Sequence, residues 1–388
     1  MKVAIVHYWL VGMRGGEKVV EALCRMYPDA DIFTHVYKPD AVSEIIRAHS
    51  VTTTFINRLP NAARLYKRYL PLMPMALEHL DLRAYDLVIS SESGPAKGIL
   101  PRADALHVCY CHSPMRYIWN MQHDYRASAP ALVRAAMGPL THYLRMWDVT
   151  ASDRVDDFVA NSSTVAARIR KFYRREATVI NPPVDVDDFQ LAPEHEIGDF
   201  YLMVGELVRY KRPDLAVRAF NGMGKRLVVI GGGEMLAELR ALARPNVIML
   251  GPQPFDVLRE YYARCRALLF PGEEDFGIVP IEAMASGRPV LAYNRGGAAE
   301  TVLPGVTGLL FDEQSVDAIV EAERAASRSH FNPREIVAHA QGFSAERFAS
   351  KMRGHIDGLL KPSLRHAPPT LVKATHEKNL AEGLRVIA

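Results

Sequence analysis

Pro271-Gly272-Glu273-Glu274-Asp275-Phe276-Gly277-Ile278-Val279-Pro280-Ile281-Glu282-Ala283-Met284-Ala285-Ser286-Gly287 reads as the link between a buried strand and a helix. The apolar run Ala267 to Phe270 enters it as the strand, Phe276-Gly277-Ile278 forms a tight turn, and Pro280 starts a helix that stops at Gly287. Glu274 then sits on the loop and Glu282 in the first helical turn. The amides of Phe276, Gly277 and Ile278 point where an anion is welcome, because a helix start leaves unpaired N–H groups and a partial positive charge. Two carboxylates at such a place suit ligand hydroxyls better than ligand charges. Hydroxyls together with phosphate describe a nucleotide sugar. The same spacing also fits a plainer arrangement, in which Glu282 complements the helix dipole and Glu274 is solvated.

Outward from this stretch, the second half of the chain alternates strands with helical segments. Strands are expected at Tyr201 to Val204, Leu227 to Ile230, Val247 to Leu250, Ala267 to Phe270, Pro289 to Ala292 and Leu309 to Phe311, the pattern of a doubly wound parallel sheet. Gly205-Glu206-Leu207-Val208-Arg209-Tyr210-Lys211-Arg212-Pro213 follows the first of them and Gly231-Gly232-Gly233-Glu234 the second. One loop is basic and one glycine-rich, which is what a diphosphate needs, although a bare strand-to-helix turn also explains the glycines. Gly296-Gly297-Ala298-Ala299-Glu300 stands at the strand end beyond Glu274, beside the same crevice.

The first half has the same rhythm. Val3 to His7 is a buried strand, followed by Gly12-Met13-Arg14-Gly15-Gly16-Glu17 and a helical pattern through Val19, Val20, Leu23 and Met26. These glycines do not make G-x-G-x-x-G, so a Rossmann dehydrogenase loses its main support. Gly15-Gly16 offers a loop where backbone can approach a ligand, or simply a turn. Further strands are expected at Ile32 to Val36, Leu87 to Ser90, Leu106 to Cys111, Phe158 to Ala160 and Thr178 to Ile180. His112 leaves the carboxyl end of Leu106 to Cys111, where ligands of open α/β sheets collect. His107, Cys109, Cys111 and His112 have metal-binding residue types, but 107, 109 and 111 share one face of an alternating strand and 112 takes the other, which argues against a common ion. Arg58, Arg64, Lys67 and Arg68 are interleaved with tyrosines and leucines, and no acid intervenes until Glu78, as in a segment that rests on an anionic membrane surface; a solvated helix face has the same pattern.

The chain has 388 residues, enough for two domains that each bury a core. The polar run after Asn181-Pro182-Pro183 marks the boundary, giving domains at 1–183 and 184–340, a helix at 341–360 and a loosely ordered polar tail at 361–388 with Pro362, Pro368 and Pro369. The 341–360 helix carries Phe348, Met352 and Ile356 on one face and is expected to return to the first domain. A proline-containing connection with some helix is expected around Ser128 to Leu140. A net charge of +3 is too small to argue for nucleic acid. Four cysteines are too few for a disulfide framework, no apolar run spans a bilayer, and Met1-Lys2-Val3-Ala4-Ile5-Val6 lacks the apolar core of a signal peptide; a cytoplasmic location is expected.

Together these residues resemble family 4 of the glycosyltransferases, retaining nucleotide-sugar enzymes with two facing Rossmann-like domains, the GT-B fold. The resemblance covers residues 1 to 360 and rests most specifically on Glu274 and Glu282 enclosing Phe276-Gly277-Ile278, with Lys211-Arg212-Pro213, Gly296-Gly297 and Glu300 in family order. Cys109-Tyr110-Cys111-His112-Ser113-Pro114 and Arg116-Tyr117 further resemble bacterial members that build lipid-linked polysaccharide and O-antigen, several of them mannosyltransferases. The resemblance implies that Glu274 and His112 act on the donor sugar and that Gly15, Gly16, Arg209, Lys211, Phe276, Gly277, Ile278 and Glu282 bind the donor. Glu282 would hold the ribose and Lys211 the diphosphate. The family often has arginine where this chain has Glu206, so Glu206 is expected to turn away and Arg209 to supply a second cation. Catalysis would need no metal or cofactor. The donor implied is GDP-mannose, with UDP-glucose or UDP-N-acetylglucosamine open, and the acceptor a lipid-linked glycan on the cytoplasmic face of the inner membrane. A sugar-nucleotide epimerase and a non-catalytic binding protein are the alternative readings.

Overall fold

A computed structural model of the protein describes residues 1–122 and 131–361; the expected tail after 361, and the first part of the Ser128 to Leu140 connection, lie outside the described residues. The remainder of that connection belongs to a helix, Ala131–Ser152.

Two parallel sheets carry the chain. The first has seven strands: β1 (Val3–His7), β2 (Asp31–Thr34), β3 (Val51–Thr53), β4 (Leu87–Glu92), β5 (Leu106–Cys111), β6 (Asp157–Ala160) and β7 (Thr178–Val179), in the order β3-β2-β1-β4-β5-β6-β7. Ile5 of β1 stands opposite Ile32 on one side and Ile89 on the other, so the centre of the sheet is a continuous apolar run buried on both faces. The second has six strands: β8 (Tyr201–Val204), β9 (Leu227–Ile230), β10 (Val247–Gly251), β11 (Leu268–Phe270), β12 (Val290–Tyr293) and β13 (Gly308–Phe311), in the order β10-β9-β8-β11-β12-β13. In each sheet the strand order reverses beside the first strand, between β1 and β4 and between β8 and β11. Loops leaving the carboxyl ends of those strands diverge and open a crevice there.

The helix Ala345–Leu360, capped by Ser344, buries Phe348, Met352 and Ile356 in the core of the first sheet, against the helix Gly15–Met26. This last described helix thus returns to the half that holds β1. Val184, Val186 and Phe189 pack into the core of the second sheet.

Three local details differ from the sequence expectation. The short edge strand β3 was not foreseen. Gly15-Gly16 is not a loop but the first two residues of the helix Gly15–Met26. The helix after β11 runs Ile278–Ala285, so Pro280 is its third residue rather than its first, and Glu282 lies in the second turn, away from the helix start. Proline is tolerated at that position because the amides of the first turn have no intrahelical acceptor to lose.

Candidate active site

The two crevices face each other across a cavity of about 690 Å³. From the first sheet it is lined by Tyr8 and Trp9 after β1, by Gly15 and Gly16, by Ser93 after β4 and by His112 after β5. Glu274, Asp275, Phe276, Gly277 and Ile278 line it from the second. Gly277 caps the helix start with φ +82°, a left-handed conformation open to glycine at little cost, and this turn lets the loop carrying Glu274 fold over the helix N-terminus. Gly15 faces the opposite wall: a Cβ there would lie 2.8 Å from Ile278 Cδ1, the tip of a side chain that would have to move aside.

Seven of the ten residues singled out from sequence therefore line one cavity, while three stand outside its wall. Lys211 is a neighbour of the lining, with Nζ 2.8 Å from Glu274 Oε1 and the side chain 15% exposed, and the pair bridges the loops after β8 and β11 at the switch point. Glu282 is half-buried behind the turn and accepts a hydrogen bond from the Tyr262 hydroxyl at 2.7 Å. Burial raises its pKa, the Asp185 charge adds to this, and the Tyr262 hydroxyl and Lys18 oppose it. Arg209 is placed differently from the sequence expectation: it points to solvent, 75% exposed, and pairs with Glu238 at 3.6 Å. Glu206 does turn outward, with Arg14 of the other domain 3.9 Å away. The cations that do line the cavity are Lys67 and Arg116. The Arg116 guanidinium lies 5.0 Å from the Tyr210 ring centroid and 3.6 Å from Asp275, and its buried Nε has no hydrogen-bond partner among the described residues. In sequence, Arg116 entered only through the Arg116-Tyr117 resemblance, and no role at the site was expected of it.

His112 is held neutral. Burial lowers its pKa to about 4, against the opposing charge of Asp275. Its Nε2 lies 2.8 Å from Ser91 Oγ, and Ser91 Oγ lies 3.1 Å from Nδ1 of the buried His7. His107 turns away to Ser90 at 2.9 Å, and among the described residues no three His, Cys, Asp or Glu side chains converge as a metal site.

A second set of contacts fixes the two halves against one another. Arg168, on the helix Ser163–Tyr173, pairs with Asp275, and the Ser162 hydroxyl donates to the Asp275 carbonyl at 2.6 Å. At the start of the same helix the Glu300 carboxylate accepts the amides of Ser163 at 2.8 Å and Thr164 at 3.0 Å, and the Thr164 hydroxyl at 3.2 Å. An acid from one domain thus caps a helix of the other, where the dipole favours it. Removing such a cap costs about 0.5–2 kcal/mol, so Glu300→Ala should shift the balance between apposed and separated domains about 2- to 30-fold. Small-angle scattering should then show a larger radius of gyration, and an unchanged one would count against a latch at Glu300.

The chain matches the family of group 1 glycosyl transferases over residues 188–351 and glycosyltransferase family 4 over residues 13–188. It is 33% identical over 235 residues to the D-inositol 3-phosphate glycosyltransferase of Kribbella flavida, covering 51% of this chain and 54% of that one. It is 34% identical over 169 residues to the GDP-mannose-dependent alpha-(1-6)-phosphatidylinositol monomannoside mannosyltransferase of Mycobacterium tuberculosis, covering 36% of this chain and 44% of that one. The chain spans about half the length of the curated relatives it matches. Among solved structures it is similar to the lipopolysaccharide outer core galactosyltransferase WaaB, with a TM-score of 0.65 at 18% identity over 93% of this chain and all of that one. The two family matches meet at residue 188 and run from 13 to 351, across both sheets and the cavity between them, and the chain belongs to the family 4, group 1 glycosyltransferases with the GT-B fold.

Proposed function

We propose that the protein transfers a hexose, mannose from GDP-mannose, to a hydroxyl of a lipid-linked glycan or other precursor of polysaccharide or lipopolysaccharide, with retention at the sugar carbon. The observation that carries this reading is the apposition, across one cavity, of His112 and Gly15-Gly16 with Glu274 and the turn Phe276-Gly277-Ile278. In it, Glu274 and His112 engage sugar hydroxyls, and the amides of Phe276 to Ile278 hold sugar hydroxyls and the diphosphate. Lys211 pairs with the diphosphate, which gains a charge as the glycosidic bond breaks, and Arg116 adds a second cation. Glu282 takes the ribose. The leaving phosphate oxygen accepts the proton of the acceptor hydroxyl on the same face of the sugar. The choice of GDP-mannose is supported by the mannosyltransferase relative; UDP-glucose and UDP-N-acetylglucosamine are the competing donors.

A lipid-linked acceptor is favoured by the surface beside the cavity. Arg58, Arg64, Lys67 and Arg68 are exposed there, together with Leu72 and Met75, which are 39% and 46% exposed. No helix among the described residues is long and apolar enough to cross a membrane, and this patch would hold the protein on the cytoplasmic face. Arg58→Ser with Arg68→Ser removes two cations worth about 1 kcal/mol each at an anionic surface, so binding to phosphatidylglycerol vesicles should fall about 10- to 30-fold. Co-sedimentation that stays at the parent level would contradict the membrane contact. The transfer itself is tested with radiolabelled GDP-mannose and a membrane extract: label should move into the lipid phase, and neither transfer nor donor hydrolysis with any of the three donors would refute the reading.

A further inference from the structure

Behind His112 runs a chain of polar groups that the proposed chemistry does not use. His112 Nε2 is 2.8 Å from Ser91 Oγ, Ser91 Oγ is 3.1 Å from His7 Nδ1, and His7 Nε2 is 4.0 Å from Glu17 Oε1. His7 and Ser91 are fully buried and Glu17 is 3% exposed. The other Glu17 oxygen accepts the Arg14 amide at 3.1 Å, which favours the ionised carboxylate, while burial, the larger effect, raises its pKa. We infer that Glu17, acting through His7 and Ser91, fixes His112 in the tautomer with its proton on Nε2 and a bare lone pair at Nδ1, so that His112 meets its ligand as a hydrogen-bond acceptor.

The direction of each link follows from the one before it. His7 Nε2 is buried with no hydrogen-bond partner among the described residues, and the group it faces is the Glu17 carboxyl. A lone pair there would be repelled and an N–H attracted, so the His7 proton sits on Nε2 and Nδ1 is left as an acceptor. Ser91 has one proton and gives it to His7 Nδ1. Its oxygen can then serve His112 only as an acceptor, which places the His112 proton on Nε2. Nδ1 makes no hydrogen bond to a described residue, and His112 lines the cavity. An acceptor nitrogen takes a hydroxyl and repels a phosphate oxygen. If the cavity holds a nucleotide sugar, as proposed above, His112 therefore reads the sugar end and not the diphosphate, and Glu17, His7 and Ser91 are positioning residues for it.

The test uses the full chain labelled with ¹⁵N-histidine, with His112 assigned by its loss in His112→Gln. Long-range proton–nitrogen correlation should show a pyridine-type Nδ1 and a pyrrole-type Nε2 for His112 in the free protein. The opposite pattern, or a tautomer mixture, would overturn the inference. In Ser91→Ala and in Glu17→Ala the His112 signals should move to the averaged positions of a mixture, and kcat/KM should fall about 5- to 10-fold, the worth of one hydrogen bond. A fixed His112 pattern in folded Glu17→Ala would remove Glu17 from the chain. Because the free-protein spectrum needs no ligand, a correct tautomer with no nucleotide-sugar binding would sink the functional reading and leave this inference standing.

Discussion

Lys211→Ala is expected to lower turnover about 10- to 150-fold, the loss of one charge-assisted contact worth about 1.5–3 kcal/mol in the transition state. The ammonium stands between the loops after β8 and β11 and is already paired with Glu274 at 2.8 Å. Removing it takes a cation from the place where a diphosphate would gather charge and leaves Glu274, the proposed sugar ligand, without its partner. Arginine at 211 should restore part of the rate, since the charge returns on a different geometry. Steady-state kinetics with GDP-mannose, UDP-glucose and UDP-N-acetylglucosamine checks this, and parent-like turnover of the alanine variant with its preferred donor would contradict it.

A second large effect is expected on stability. Lys97 is fully buried, 2.6 Å from Glu92 and paired also with Asp148, which accepts the Trp119 indole N–H at 2.7 Å and the Tyr173 hydroxyl at 2.8 Å. Burial alone would pull the lysine down, but Asp148 and Glu92 outweigh it and raise its pKa. Glu92 itself is raised, by burial first and then by the Asp148 charge, against the pull of Lys97. Lys97→Met would leave two carboxylates facing each other in the core, at a cost of about 3–5 kcal/mol. Glu92, already raised by burial, would lose the pull of Lys97 and keep a folded pKa above its unfolded one. Such groups favour the folded state in acid and lose that contribution as pH rises through the folded pKa, so the deficit should be smaller near pH 5 than near pH 8. Urea unfolding at the two values measures it. A deficit under about 1 kcal/mol, or one that grows on acidification, would show that the lysine does not neutralise this cluster.

The sequence made the two parallel sheets legible because buried parallel strands read as short apolar runs at even spacing. Five of the seven cavity residues could be placed because they lie just beyond the carboxyl ends of β5 and β11. Its misreadings were local. Val51–Thr53 is a three-residue edge strand with little burial, and the run of threonines was its one signal. Pro280 looked like a helix start, whereas the first helical turn accommodates proline at more than one position. What periodicity could not supply were contacts between distant parts of the chain. Glu300 could be placed beside the crevice, but its contact with the amides of Ser163 and Thr164 emerges only when the helix beginning at Ser163 meets it. Lys97, in a loop after Gly94-Pro95, has the look of a solvated cation, and Asp148 reaches it from 51 residues away. His112 and its partners Ser91 and His7 belong to three adjacent strands or their ends, β5, β4 and β1, and come together only through the strand order of the first sheet.

The most direct test of a nucleotide-sugar site between the two sheets is thermal unfolding of the purified protein with GDP, UDP, ADP and their common sugar conjugates. A ligand bound only by the folded state stabilises it by about 2.7 kcal/mol at a hundredfold excess over Kd. Selective stabilisation by GDP and GDP-mannose is the expected result, and it should weaken in Lys211→Ala. If no nucleotide or nucleotide sugar shifts the transition, the cavity is not a donor site and the proposed transfer fails with it.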